Sequence, residues 1–273
     1  MRTVVFVDWD QTLVEFRHDL GISALRGFLK KKLPPYEARF LTKWVNETFR
    51  ETMRASREGK DNIRTRQSKI ASKSVLNTPP EGIIYSRELW LLTGAFLHGM
   101  PLPRAIAQQA AMAYWNAIAD NNEPFPDSEA FLVQLRNVDT TIAIATSSDA
   151  RLRPSHGTMQ YDTRYSRQQK IARIHTSPLS TLCDAIITGD PYDKTSPRFW
   201  ELARRITKMG RHDRAIMVGD SYATDIVQAY REGIFTILVD RANRYKRENC
   251  IAADMVVTTL TDALDAILDG KEK

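Results

Sequence analysis

Cysteine is nearly absent from this 273-residue chain, which has only Cys183 and Cys250. Two are too few for a disulfide scaffold, and neither has CxxC or zinc-type spacing, so both read as reduced structural thiols. Long apolar runs are missing as well. None approaches the ~20 residues needed to span a bilayer, which argues against a membrane partner. The chain opens on a buried-strand pattern, where a secreted protein would carry a basic leader and an apolar signal core, so the expected location is cytoplasmic. No internal repeat and no low-complexity tract is present, which sets aside repeat arrays and biased linkers.

What is present suits a folded, water-soluble enzyme. Hydrophobic residues make up 42% and charged residues 26%, enough to bury one large core or two smaller ones. The net charge is +6 and the pI about 9.3. That balance favours anionic ligands without choosing among phosphorylated metabolites, nucleotides and nucleic acid.

The most informative stretch is Asp8-Trp9-Asp10-Gln11-Thr12, directly after the apolar run Thr3-Val4-Val5-Phe6-Val7. Two carboxylates therefore sit at the carboxyl end of a predicted buried strand, where open α/β sheets bind ligands. Like charges this close need a cation or a shared proton. Oxygen ligation of this kind suits Mg²⁺. One carboxylate can then act as nucleophile and the other as proton donor and acceptor.

The pattern of the remaining residues predicts an α/β fold, a doubly wound parallel sheet of Rossmann-like type with an inserted all-helical domain. Residues 1–15 give one strand and the acidic loop. Residues 16–122 read as helical. Residues 123–273 alternate short apolar runs with amphipathic stretches, as in a parallel sheet. Strands are predicted at 141–145, 185–187, 215–218, 236–239 and 255–257. Helices are predicted after a cap at Asp127 or Ser128, from Ser196-Pro197, from Ala223 to Gly233, and over 261–268. The first strand thus belongs to a sheet that resumes after 122, which makes 16–122 an insertion. Trp44, Trp90, Trp115 and Phe96 read as the insertion's own core. Such a module can act as a lid. Residues 50–73 are basic through Arg50, Arg54, Arg57, Lys60, Arg64, Arg66, Lys69 and Lys73, either a solvated face or a polyanion site. Residues 153–173 form a second basic stretch, predicted irregular.

Three further elements follow predicted strands. Thr146-Ser147-Ser148-Asp149 offers hydroxyls that can bind a phosphoryl oxygen or simply cap a helix. Lys194 precedes the Ser196-Pro197 helix start and can neutralise a carboxylate and a phosphoryl group. Gly219-Asp220-Ser221-Tyr222-Ala223-Thr224-Asp225 pairs a turn glycine with one carboxylate at a strand end and another in the next helix's first turn.

With its four elements in this order, the chain resembles the haloacid dehalogenase-like hydrolase superfamily, and its phosphatase-type members with a helical cap after the first motif. Phe125-Pro126 and the segment from Gln228 to Gly233 share the resemblance. It implies a Mg²⁺-dependent phosphohydrolase that cleaves a phosphate monoester through an aspartyl-phosphate. Asp8 would attack phosphorus, and Asp10 would serve as acid and then base. The metal would be held by Asp8, the Asp10 carbonyl and Asp220, with Asp225 as ligand or supporting partner. Thr146, Ser147 and Lys194 would bind the phosphoryl group. The chain departs from the family at Gln11, where glycine is common, and at Ser147, where asparagine is frequent. Pro197 lies three positions after Lys194 in place of directly after it, and Lys170 is a substitute lysine.

Asp10 argues for phosphoryl chemistry over dehalogenation, because a halide leaving group needs no proton. A phosphomutase would keep Asp10 too. Two other readings stand beside it. One is a non-catalytic protein that holds nucleic acid or a partner on its basic surface, and the other is a switch with a long-lived phospho-Asp8. The expected substrate is a phosphorylated small molecule or nucleotide, with nucleic acid a further candidate.

Overall fold

A computed structural model describes residues 2–58, 66, 67, 76 and 86–269. The chain divides into two units. The first comprises Met1–Phe16, Asn122–Ser147 and Ile174–Lys273, and the second Arg17–Asn121 and Ser148–Arg173. The sequence places 148–173 in the α/β core, but the structure groups these residues with the helical insertion.

The first unit is built on a six-stranded sheet. Its strands are β1 (Thr3–Val7), β2 (Thr140–Thr146), β5 (Ala185–Thr188), β6 (Arg214–Gly219), β7 (Phe235–Val239) and β8 (Met255–Val257). Their spatial order is β5-β2-β1-β6-β7-β8, and every pairing is parallel. β1 sits inside the sheet although it comes first in the chain. Val7 lies opposite Ile144 of β2 on one side and Val218 of β6 on the other.

Alternation along β1 sends its side chains to both faces. Val5 and Val7 join Ile142, Ile144, Ile216 and Val218 under Phe131, Leu132 and Leu135 of helix α5 (Ser128–Asn137) and Leu260 and Ala263 of helix α9 (Leu260–Leu268). Val4 and Phe6 join Ala143, Ala145 and Met217 under Phe199, Trp200 and Ala203 of helix α7 (Pro197–Ile206). A strand covered on both faces reads as an unbroken apolar run. Asp127 precedes α5 without capping it. Its carboxylate instead accepts from Arg241 at 2.7 and 3.0 Å and from the Leu260 N–H at 2.8 Å, tying α5 to α9. Between Asp220 and α8 (Val227–Arg231) the chain makes one π-type turn, Tyr222–Ile226.

The second unit holds α1 (His18–Lys30), α2 (Pro35–Glu58), α3 (Arg87–Leu97), α4 (Arg104–Ala119), a hairpin of β3 (Leu152–Ser155) and β4 (Thr158–Tyr161), and α6 (Thr163–Ile174). The hairpin and α6 replace the irregular loop expected at 153–173. Part of the stretch's charge is paired locally. Lys170 and Arg173 donate to buried Asp149, and Arg153 pairs with Asp162. Trp44, Trp90 and Trp115 are buried as expected, but Phe96 is 58% exposed and belongs to the surface. No helix among the described residues is long and apolar enough to cross a membrane.

Candidate active site

Three chemical residues of the first unit, Asp8, Thr146 and Asp220, stand at the carboxyl ends of strands. Asp8 follows β1 and is anchored by its N–H on the Val218 carbonyl at 2.9 Å. Asp220 follows β6. Thr146 ends β2, paired with Thr188 of β5, and its carbonyl accepts the Gly189 N–H at 2.8 Å. Parallel register brings these exits to one edge of the sheet, so residues more than 200 positions apart become neighbours.

One carboxylate oxygen from each of Asp8, Asp220 and Asp225 lies within 4.8 Å of the others, and all three residues are buried. Lys194 is buried with them. Its Nζ lies 2.6 Å from Asp8 Oδ1 and 2.5 Å from Asp225 Oδ1. Trp200 on α7 holds the lysine's backbone, its indole N–H donating to the Lys194 carbonyl at 2.9 Å. The same indole packs edge-on against Phe6 of β1. The apolar core thus fixes where the lysine stands.

Asp225 is oriented by its own turn. Its Oδ2 accepts the Ser221 N–H at 2.9 Å and its Oδ1 the Thr224 hydroxyl at 3.0 Å. Gly219 makes room for it, because a Cβ there would fall 2.6 Å from Asp225 Cβ and Cγ. No side chain larger than hydrogen fits that approach.

Burial dominates the electrostatics. Burial, with Asp225 and Asp220 close by, pushes the Asp8 carboxyl up to about 8 against the pull of Lys194. Burial and Asp225 likewise push Asp220 up to about 6, opposed by Arg244. Burial works against the Lys194 ammonium, but Asp225 and Asp8 outweigh it and raise its pKa. Carboxylates crowded and desolvated in this way favour a cation among them. A purely oxygen donor set suits a hard divalent cation.

The expected residues are placed as follows. Asp8, Lys194, Asp220 and Asp225 come together. The Asp10 carboxylate is half-buried and stands outside the three-carboxylate group. Thr146 is buried at the end of β2, and Ser147 follows it, half-buried. Lys170, the substitute lysine, lies in the second unit on Asp149. Gln11 takes a φ of 67°, the left-handed bend that glycine makes without strain. Two residues went unnoticed in the sequence. Trp200 reads only as a core residue, although its N–H is what holds Lys194. Arg244 carries no motif, yet its Nη2 donates to Asp220 Oδ2 at 2.8 Å.

Comparison with known proteins agrees with this geometry. Residues 192–263, which include Lys194, Asp220 and Asp225, match the HAD-hydrolase-like family model. The family likeness in sequence is thus carried by that carboxyl-terminal part of the chain. No curated protein matches it in sequence. Solved structures share the fold along nearly the whole chain. The HAD-hydrolase YfnB of Bacillus subtilis, described as bound to magnesium, is 14% identical with a TM-score of 0.61, covering 98% of this chain and 100% of that one. A HAD phosphatase from Thermococcus onnurineus is 16% identical with a TM-score of 0.57, covering 99% and 100%. A 2-haloacid dehalogenase from Pseudomonas syringae pv. Tomato DC3000 has the same identity, score and coverage. At these identities the likeness speaks to the fold alone. The choice between phosphatase and dehalogenase chemistry rests on its own residues.

Proposed function

We propose that this chain is a Mg²⁺-dependent phosphohydrolase that cleaves phosphate monoesters through an aspartyl-phosphate on Asp8. The observation that carries the reading is the buried trio of Asp8, Asp220 and Asp225, with carboxylate oxygens within 4.8 Å of one another. Attack on a carbon–halogen bond needs one carboxylate and releases a stable anion, so it gives no reason to bury three carboxylates together. Transfer of a phosphoryl group calls for offsetting charge on the nucleophile and on the transferred oxygens.

In this reading Asp8, the Asp10 carbonyl and Asp220 would hold the cation, with Asp225 supporting it. A bound Mg²⁺ would offset the negative charge of the carboxylates and polarise the phosphoryl oxygens. Asp8 attacks phosphorus with a carboxylate oxygen as the bond from phosphorus to the ester oxygen breaks. Asp10 gives its proton to that departing oxygen. Asp10 then takes a proton from water, whose oxygen attacks the same phosphorus and displaces Asp8. Inorganic phosphate leaves, and both carboxyl groups return to their starting states. Lys194 keeps a fixed positive charge against Asp8 throughout, and Thr146 and Ser147 receive the phosphoryl oxygens.

We propose a phosphorylated small molecule or a nucleotide as the substrate, because the buried group of three carboxylates and Lys194 addresses a single phosphoryl group. In the 153–173 stretch Lys170 and Arg173 are buried on Asp149, while Arg164 and Arg167 are exposed, as are Arg50 and Arg54 of the other stretch. Of the other stretch, residues 60, 64, 69 and 73 lie outside the described residues, as does the Arg57 side chain.

The test is phosphate release from a generic aryl phosphate. The parent chain should release phosphate only with Mg²⁺, and Asp8→Asn should lose at least ~10³-fold of the rate, as expected when a nucleophile is removed. Absence of release from the parent under every divalent cation would remove the reading.

A further inference from the structure

Strand β7 lies next to β6 and ends at Val239. The next residue, Asp240, is buried, and its own N–H is fixed on the Val257 carbonyl at 2.7 Å. Its carboxylate accepts two backbone N–H groups from farther along the chain, that of Arg244 at 2.8 Å and that of Tyr245 at 2.9 Å. One side chain therefore closes the whole loop from 240 to 245. Arg244 is what the closed loop presents to the exit of β6.

The Arg244 guanidinium reaches Asp220 twice. Nη2 donates to Asp220 Oδ2 at 2.8 Å and to the Asp220 carbonyl at 3.1 Å. Nε lies 3.5 Å from Asp240 Oδ1, and the guanidinium stands 5.5 Å from the centre of the Tyr245 ring. The side chain is 28% exposed, so it sits at the rim of a site whose carboxylates are buried. Asp220 thus faces a fixed cation while offering an oxygen to the group formed with Asp8 and Asp225. Three carboxylates here face two fixed cations, Lys194 and Arg244.

We infer that Arg244 is a positioning residue that sets how tightly this site holds its divalent cation. The inference rests on the cation-site reading above. Guanidinium and metal draw on the same carboxylate, and like charges a few ångströms apart repel. Each therefore loosens the other's hold on Asp220, by the reciprocity that links any two ligands of one group. With Arg244 in place, the loaded site presents one more positive charge to an incoming phosphoryl dianion than it would without the arginine. Without it, the metal would be held more tightly and the site would repel that dianion more. The arginine trades cation affinity for a better reception of the anion.

The experiment is calorimetric titration of the full chain with MgCl₂ at fixed pH and ionic strength. Arg244→Gln keeps an N–H₂ donor for Asp220 but removes the charge, Arg244→Ala removes both, and Arg244→Lys keeps the charge. The Gln and Ala variants should bind Mg²⁺ about tenfold tighter than the parent, and the Lys variant within about threefold of it. Gln and Ala variants that bind as the parent does, or more weakly, would overturn the inference. That result would leave the cation site itself standing if the parent binds Mg²⁺ and Asp220→Asn does not. A parent chain that binds no Mg²⁺ removes the cation-site reading, and the role of Arg244 with it.

Discussion

Lys194 shows how a single side chain holds a site of this kind in a folded protein. It is buried between Asp8 and Asp225, and without it both carboxylates would lie desolvated and unpaired. Lys194→Met should therefore cost about 3–5 kcal/mol in cation-free buffer, read as a lower urea midpoint. Added Mg²⁺ should restore part of the loss, because it supplies positive charge to the same carboxylates. A midpoint unchanged from the parent would mean that the lysine does not balance them. The sequence points to Lys194 only by its place before a helix start, and Lys170 competes with it there. What separates them is Asp149, which takes Lys170 inside the second unit. Long-range pairing of this sort leaves no local trace in the chain. Arg244 is illegible for the same reason, since its partner is 24 positions away and its loop is closed by Asp240.

At the scale of elements, buried packing decides protonation. His18 of α1 stacks on Phe49 of α2 at 3.7 Å between ring centres. Its two ring nitrogens bond Tyr114 at 2.7 Å and Asn46 at 3.1 Å. Burial, with Arg87 nearby, pushes its pKa down to about 3 from an ordinary 6.5. The folded histidine thus stays neutral where the unfolded one takes up a proton. This group's contribution is intact above pH 6.5 and is lost as pH falls from there towards 3, by up to about 1.4 kcal/mol per pH unit. His18→Gln should flatten the thermal midpoint against pH across that window, and an unchanged slope would show that the acid sensitivity lies elsewhere. Regular elements are legible because their signals are local. The β1 run and the Ser196-Pro197 helix start are read from adjacent residues. The π-type turn at Tyr222–Ile226 and the β3–β4 hairpin are not. Their contacts, the Ser221 N–H on Asp225 in the turn and Arg153 with Asp162 beside the hairpin, leave no mark in composition.

Across the whole molecule, the sheet order makes chemistry from residues that the chain keeps apart. The parallel sheet can be read from its spaced apolar runs, but its strand order needs long-range pairing, and so does the assignment of 148–173 to the second unit. Gathering carboxylates at one edge gives the protein a pH signature. Asp8 at about 8 and Asp220 at about 6 hold protons in the folded state that unfolded aspartates release near 3.8. The cation-free protein should lose stability from these groups as pH rises from about 4 to about 8. Mg²⁺ binds the deprotonated carboxylates, so its thermal stabilisation should be larger at about pH 8 than at about pH 5.5, with proton release on binding. Equal stabilisation at both would argue that the ion binds elsewhere. The most direct measurement is mass spectrometry of peptides from the enzyme quenched in acid while turning over an aryl phosphate with Mg²⁺. A phosphoryl group carried on Asp8, and absent in Asp8→Asn, is the predicted result. Turnover with no phosphorylated Asp8, or with the group on another residue, would contradict the account.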